Sequence, residues 1–492
     1  MLNSLKRLTK HSAIYGIGHI TTRLVNFLLL PVYTNQIPAD EFGVYAVVYM
    51  YLAFMTIVYT YGLDAAFLRF FVLSEDTQKR RQIFSTAFWA VVVVGSLLTA
   101  IIYLNAATNS RVIISEGLYP NLFRLVSLIL LFDALTFLPF LYLRAEEKSL
   151  HFVTIKFVNV LINVGLNIYF VVHLKKGVEG ILLANVLASA ITFALLLPIL
   201  WRHVSFVFVG SELKELLRFG LPYLPSTLSI VALDLIDRFF LERLVGLEVT
   251  GIYSAGYRLG IFMNLFVAAF RFAWHPFFLS TSKQENAKEV FAKILTYFVL
   301  IASGIFLMIS FFVDELVRFE IFGFTIFGEE YWESTKIVPV ILLCYLINGM
   351  YVNFIVGIYL EKQTKYLPIV TGAGAIVNIL ANLLLIPLLG MMGAAYAKFL
   401  AYAVMAVCLY LFAQKFYAIH YEFGRLLKLA VVAAGIFYFG YFFQTPWQNW
   451  LQLSLVVAFP LILFLTGFFE RRELENVKKL FGVKIHATSD YV

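Results

Sequence analysis

Uninterrupted apolar runs of about twenty residues or more recur along almost all of this 492-residue chain. A helix needs ~20 residues to cross the ~30 Å of hydrocarbon in a bilayer, and within that layer only helices or closed barrels satisfy their own backbone. The runs are continuous rather than alternating, which argues against an outer-membrane barrel. Fourteen spans are predicted, at 12–36, 42–71, 83–106, 120–144, 150–172, 178–201, 219–241, 249–277, 289–313, 336–360, 366–388, 390–414, 426–443 and 447–469. The fold class is therefore an all-α polytopic membrane protein. Composition agrees: 61% of residues are hydrophobic and 14% charged, more apolar surface than a soluble enzyme of this length can hide. Cys344 and Cys408 lie inside apolar runs and read as small buried hydrophobes, so neither a disulfide framework nor a metal site is expected. The first run follows Lys6, Arg7 and Lys10, but it carries Arg23 and is too long for a cleavable signal.

Orientation follows from Lys and Arg. With the N-terminus inside, the inner segments hold 24 of these residues and the outer loops six, namely Arg111, Lys175, Lys176, Arg243, Arg318 and Lys336. That asymmetry predicts both termini in the cytoplasm. It also accounts for the net charge of +8 without a nucleic-acid partner. The outer loop 314–336 is acidic instead and reads as a solvated rim.

The chain repeats. A shift of 208 residues aligns 5–71 with 213–279 without a gap and brings Gly43, Tyr45, Tyr49 and Phe70 onto identical Gly251, Tyr253, Tyr257 and Phe278. A second match relates Gly177-Val-Glu-Gly180 to Gly390-Met-Met-Gly393, each preceded by an Asn-bearing helix. The expected organisation is an N-terminal six-helix lobe (1–201), an amphipathic cytoplasmic linker (202–218, with Ser211 placed to cap a short helix), a second six-helix lobe (219–414), two further helices (415–469) and a cytoplasmic tail (470–492). An even number of helices per lobe gives the repeats the same orientation, as in transporters with an axis along the membrane normal.

Eight cations fall inside the spans: Arg23, Arg69, Arg124, Lys156, Arg238, Arg258, Arg271 and Lys398. At ~1.5 Å per residue, Arg23 lies ~15 Å in from the inner end of its span and Arg258 ~14 Å in from the outer end, both near the midplane. A charge there costs about 2.5–3.5 kcal/mol on insertion scales and marks a functional site. Arg69, Arg124, Arg238 and Arg271 fall near interfaces and can snorkel. Polar stripes accompany the deep cations: His19, Arg23 and Asn26; Lys156, Asn159, Asn163 and Asn167; Tyr257, Asn264, Arg271 and His275; Lys398 and Tyr402; with Asn378 and Asn382 on a further helix. Lipid cannot satisfy such faces, so they point into a bundle or a wet cavity. A cavity rich in cations implies an anionic substrate group, and the guanidinium fork suits phosphate. Asp64, Asp133, Asp234 and Asp237 are the span carboxylates, each a candidate to carry a coupling proton or cation or to neutralise an arginine.

No nucleotide-binding or catalytic constellation is present in the sequence, which argues against an enzyme and against a cofactor beyond proton or sodium coupling. The segments Tyr15-Gly16-Ile17-Gly18, Leu30-Pro31-Val32-Tyr33, Phe42-Gly43-Val44-Tyr45 and Tyr61-Gly62-Leu63-Asp64-Ala65-Ala66-Phe67-Leu68-Arg69-Phe70-Phe71, together with Ile386-Pro387 and Gly393-Ala394-Ala395, resemble the Wzx-type polysaccharide flippases of the MOP exporter superfamily. That superfamily also holds MATE drug exporters and the lipid II flippase. The resemblance implies two lobes around a central cavity, alternating access, and transfer of an undecaprenyl-diphosphate-linked oligosaccharide across the bacterial cytoplasmic membrane. It implies that Arg23 and Arg258, then Lys398 and Lys156, hold the diphosphate. Asn26, Asn159, Asn163, Tyr257 and Asn378 would meet sugar hydroxyls. The lipid bilayer and the polysaccharide polymerase machinery are the further expected partners. A lipid II flippase and a cation-coupled drug antiporter are the alternatives. A membrane glycan polymerase or ligase would instead need chemistry in a longer outer loop.

Overall fold

A computed structural model of the chain describes residues 27–321, 323–443, 445–470 and 473. In chain order the helices are α1 (Leu30–Gln36), α2 (Ala39–Thr60), α3 (Leu63–Leu73), α4 (Thr77–Leu104), α5 (Ala106–Ile113), α6 (Pro120–Ala145), α7 (Ser149–Asn167), α8 (Gly177–His203) and α9 (Gly210–Gly220). There follow α10 (Leu224–Leu244), α11 (Leu247–Leu259), α12 (Ile261–Thr281), α13 (Ala287–Arg318), α14 (Val338–Leu360), α15 (Leu367–Leu389), α16 (Met391–Phe416), α17 (Phe423–Phe442) and α18 (Gln448–Leu465). A two-residue hairpin, β1 (Glu320–Ile321) and β2 (Phe324–Thr325), and a 3-10 helix (Glu329–Ile337) lie between α13 and α14.

The sequence punctuates these helices. Proline sits in the first turn of α1, α6, α10, α14 and α15, where its missing N–H has no helical partner to lose. Tyr61 and Gly62 take positive φ (33° and 77°) and split α2 from α3. Asp76 caps α4 by accepting from the Gln78 amide at 2.9 Å.

Thirteen helical stretches among the described residues are long and apolar enough to span a bilayer, which makes this a multi-pass membrane protein. They correspond to the predicted spans from the second onward, with two larger departures: the seventh is extended back to Gly210 by α9, and the eighth, predicted at 249–277, is split at Gly260 into α11 and the spanning α12. The span predicted at 12–36 lies mostly outside the described residues, and α1 forms its last two turns. The amphipathic linker helix is α9; it starts at Gly210, so Ser211 falls within its first turn rather than at the cap.

Helices α2, α4, α6, α7 and α8 pack among themselves, as do α10 and α12–α16, while α17 and α18 lean on α13. The two groups meet chiefly where α2 crosses α11 and α10. There Gly43 lies against the Leu247 carbonyl and Gly251 against the Ala39 carbonyl, so close that a Cβ at either would collide with backbone. The 208-residue shift pairs 39 with 247 and 43 with 251, so this reciprocal contact is what a two-fold relation between the repeats requires.

The same end of the bundle carries a strap. The α13–α14 connection reaches back over α1: Asn35 Nδ2 donates to the Thr325 carbonyl at 2.7 Å, and the Tyr331 hydroxyl to the Ile37 carbonyl at 2.8 Å. Glu330 accepts from the Ala39 amide at 3.0 Å, placing a carboxylate on the first turn of α2. The acidic loop is therefore a folded closure rather than only a solvated rim. Beside it the buried Glu242 carboxylate accepts from the Ser115 amide and hydroxyl. At the opposite, linker end Gly62 and Gly220 touch backbone to backbone, and Arg69 lies 4.8 Å over the Phe219 ring.

Candidate functional site

Three adjoining cavities run through the bundle between the strap and the linker end. The central one, 560 Å³, is lined from both groups of helices, with Tyr45 and Tyr49 (α2), Asn159 and Asn163 (α7), and Tyr257 and Arg258 (α11) on its walls. A second, 880 Å³, shares Asn159 and Asn185 with it and extends along α6–α8. A third, 370 Å³, shares Asn264 and Tyr345 and is bounded by Asp234 and Arg271. Volumes of this order suit a small-molecule or headgroup ligand.

Arg258 is the charge of the central cavity. The α11 helix presents it half-buried, where Nη2 donates to the Tyr45 hydroxyl at 2.7 Å. Its guanidinium carbon sits 5.1 Å and 5.0 Å from the Phe42 and Tyr45 ring centres. No described carboxylate lies within ion-pair distance of it. Among the described residues, one hydrogen bond and two ring faces fix its position and leave most of the fork's five donors to the cavity. Around it the amides are held rather than loose. Asn159 Nδ2 donates to Thr192 Oγ1 at 2.7 Å and to the Ala188 carbonyl at 3.1 Å, which leaves its own carbonyl oxygen for a ligand. Asn185 donates to the Tyr49 hydroxyl at 3.0 Å, and Asn163 accepts from Asn167. Arg23 and Asn26, expected beside Arg258, lie outside the described residues.

The second cavity gathers Lys156, Asp133 and Asp64. The Lys156 ammonium lies 4.2 Å over the Phe140 ring, and Asp133 accepts from the Ser189 hydroxyl at 2.7 Å. Asp234 faces the third cavity and accepts from the Tyr402 hydroxyl at 2.8 Å. Arg271 opposite it donates to Asn348 at 3.0 Å.

Three expected site residues are placed elsewhere. Lys398 is fully buried and faces none of these cavities: its ammonium is 2.9 Å from Asp237 and donates to the Asp234 carbonyl at 2.7 Å. It neutralises a carboxylate and is not available to a diphosphate. Asp237, likewise fully buried, is gripped by Lys398, by Arg238 at 2.6 Å and by the Tyr253 hydroxyl, which leaves no oxygen for an exchanging proton or ion. Arg238 does not snorkel; it is 5% exposed inside this cluster. Asn378 is buried on α15 against Asn382, which donates to it at 3.1 Å. Tyr257 is the partition: its ring separates the central cavity from Lys398 and Arg238, each 4.2 Å from its centre.

Sequence reasoning missed Tyr45, Asn185 and Ser189. Tyr45 had a signal, because the repeat pairs it with Tyr253 and both tyrosines meet a charged group. Asn185 and Ser189 are isolated polar residues on α8, and only the packing of α8 against α6 and α7 gives them a role.

This architecture is shared with membrane transporters. The lipid II flippase MurJ in an inward closed conformation superposes with a TM-score of 0.74 at 14% identity, over 92% of this chain and 99% of that one. A multidrug-resistance MATE family transporter of the MOP superfamily, in an inward-facing conformation, superposes with a TM-score of 0.60 at 15% identity, over 80% and 94%. The fold is that of the MOP transporters. Within it, the family description "Polysaccharide biosynthesis protein" matches residues 8–282, more than half of the chain, and the chain belongs to that family. "Lsg locus putative protein 1" of Haemophilus influenzae (strain KW20 / Rd) is 22% identical over 348 residues, 68% of this chain and 83% of its own length.

Proposed function

We propose that the chain is a flippase that carries an undecaprenyl-diphosphate-linked oligosaccharide from the cytoplasmic to the outer leaflet of the bacterial cytoplasmic membrane. The observation that carries this reading is Arg258: a cation at the wall of a 560 Å³ cavity between two groups of helices, with no described carboxylate paired to it. Its fork fits a diphosphate, and Arg23 is the second expected ligand. Lys156 stands in the adjoining cavity. Asn159, Asn163 and Tyr257 present polar atoms to sugar hydroxyls. The lipid tail stays in the bilayer, and polymerase machinery takes the product on the far side.

Both termini and the linker end are cytoplasmic in this reading, in line with the 24 to six distribution of Lys and Arg. The lobes 1–201 and 219–414 rock about the cavity while 202–218 links them. The strap holds the outer end shut until substrate is bound. Asp64, Asp133 and Asp234, which face cavities, are the carriers of the coupling proton or sodium ion in this reading, and Asp237 is not. A lipid II flippase is the neighbouring reading and differs only in the headgroup carried.

The test is translocation of a fluorescent lipid-diphosphate oligosaccharide in proteoliposomes under a proton or sodium gradient. Wild type is expected to flip it and Arg258→Ala to fail while folding normally. Export of cationic dyes without lipid flipping would move the chain to the drug-antiporter class.

A further inference from the structure

The 880 Å³ cavity has a composition of its own. Aromatic side chains from three helices, Phe140 (α6), Phe152 (α7) and Phe272 (α12), line it together with the hydrogen-bonding Asp133, Ser189 and Thr192. Flat apolar faces beside fixed donors and acceptors are what a pyranose needs, since its C–H faces are apolar and its edge is ringed with hydroxyls. Phosphate recognition needs the reverse, several converging cations. Here Lys156 and Arg144 are matched one for one by Asp133 and Asp64, so the cavity has no net charge to offer an anion.

Its position sets an order. It meets the Arg258 cavity at Asn159 and Asn185, which line both. From there it runs towards the linker end, because Arg144 closes α6 and Phe152 opens α7 at that end. A headgroup whose diphosphate lies on Arg258 therefore has one direction with room for sugar. The third cavity is less than half as large, 370 against 880 Å³.

We infer that this second cavity is a glycan subsite for the distal sugars of the headgroup, distinct from the diphosphate site. It rests on the flippase reading above. The sugar next to the diphosphate lies at the Asn159–Asn185 junction, and the second and later sugars lie along the Phe140–Phe272 wall with Lys156 donating to their hydroxyls. The subsite selects for chain length and against bare or singly glycosylated carriers.

The test compares two probes in the proteoliposome assay: a polyprenyl-diphosphate bearing one neutral hexosamine, and the same lipid bearing a neutral tetrasaccharide. The variants are Lys156→Gln and Phe272→Ala. Phe272 is 46% exposed and Lys156 is also exposed to the cavity, so neither truncation removes core packing. Each is expected to lower the initial rate for the tetrasaccharide about tenfold, and the rate for the single-sugar lipid by less than about twofold. Equal losses on both probes, or no loss on either, would overturn the subsite. Arg258→Ala separates this from the parent reading: it is expected to abolish both probes, and if it flips both normally the flippase site itself is wrong, whatever the subsite variants do.

Discussion

Gly251→Ala is expected to loosen the closed end of the bundle. A Cβ at Gly251 collides with the Ala39 carbonyl, and Gly43→Ala collides in the same way with the Leu247 carbonyl. The obstructing atoms are backbone, so no rotamer change relieves the clash and α2 must back away from α11. Overpacking of this kind costs about 1–3 kcal/mol. The cost falls only on the state in which the two helices touch, so at 1.4 kcal/mol per decade the closed-to-open ratio drops roughly 5- to 150-fold. Spin labels at Leu118→Cys and Phe319→Cys, exposed positions on opposite sides of the strap end, read that ratio by pulsed electron resonance in a Cys344→Ala, Cys408→Ala background. One short distance is expected in the parent, and a second, longer population in Gly251→Ala. Gly304→Ala, with nothing within 4 Å of its added methyl, is the control and leaves the distribution unchanged. A Gly251→Ala protein with the parent's distance distribution and thermal stability would refute the role given to this contact.

Two further outcomes follow from the ion pairs. Lys398→Met strips one of two cations from the fully buried Asp237, which keeps Arg238 at 2.6 Å; loss of the charge-assisted hydrogen bond costs about 1.5–3 kcal/mol, so a fall in Tm in detergent is expected, and a further fall on adding Asp237→Asn, which leaves the buried Arg238 without its counter-ion. At the linker end Glu473 is paired with Arg425 at 2.9 Å. Partial burial alone would raise the Glu473 carboxyl, but the Arg425 guanidinium outweighs it and holds it below its ordinary value of 4.5. A carboxyl depressed in the folded state contributes stability above its unfolded value and loses it as pH falls through the folded one. Hydrogen exchange of residues 466–470 is therefore expected to be independent of pH, after correction for intrinsic rates, down to about pH 4.5 and to rise below it. Glu473→Gln should show the raised exchange already at neutral pH.

The sequence was most legible where bilayer physics dictates the answer. Span lengths located most of the described helices, and the 208-residue register paired Gly43 with Gly251, two positions that the structure brings together. Depth arithmetic placed Arg258 near the midplane, and the structure sets it on a cavity wall. The snorkelling expected of Arg238 and the diphosphate role expected of Lys398 both failed. Depth along a helix says how far a charge is from water but not which way it faces, and these two turn into the α10–α11–α16 packing, where Asp237 awaits them. Asp237 adjoins Arg238 in sequence, so half of that pair was visible. The Lys398 half joins helices 161 residues apart and was not. Asn185 and Glu330 were illegible for a similar reason: a single polar residue has no periodicity, and its role appears only when a distant helix end or tyrosine is brought to it.

The central claim is that Arg258 binds the diphosphate of a lipid-linked sugar. The most direct test is binding of a polyprenyl-diphosphate disaccharide to the detergent-purified protein, by native mass spectrometry, beside the matching uncharged polyprenyl disaccharide. Hydrogen bonds to charged groups are worth about 1.5–3 kcal/mol, so Arg258→Gln should weaken the diphosphate lipid by roughly 10- to 150-fold and leave the uncharged one unchanged. Equal affinity of wild type and Arg258→Gln for the diphosphate lipid would contradict the account.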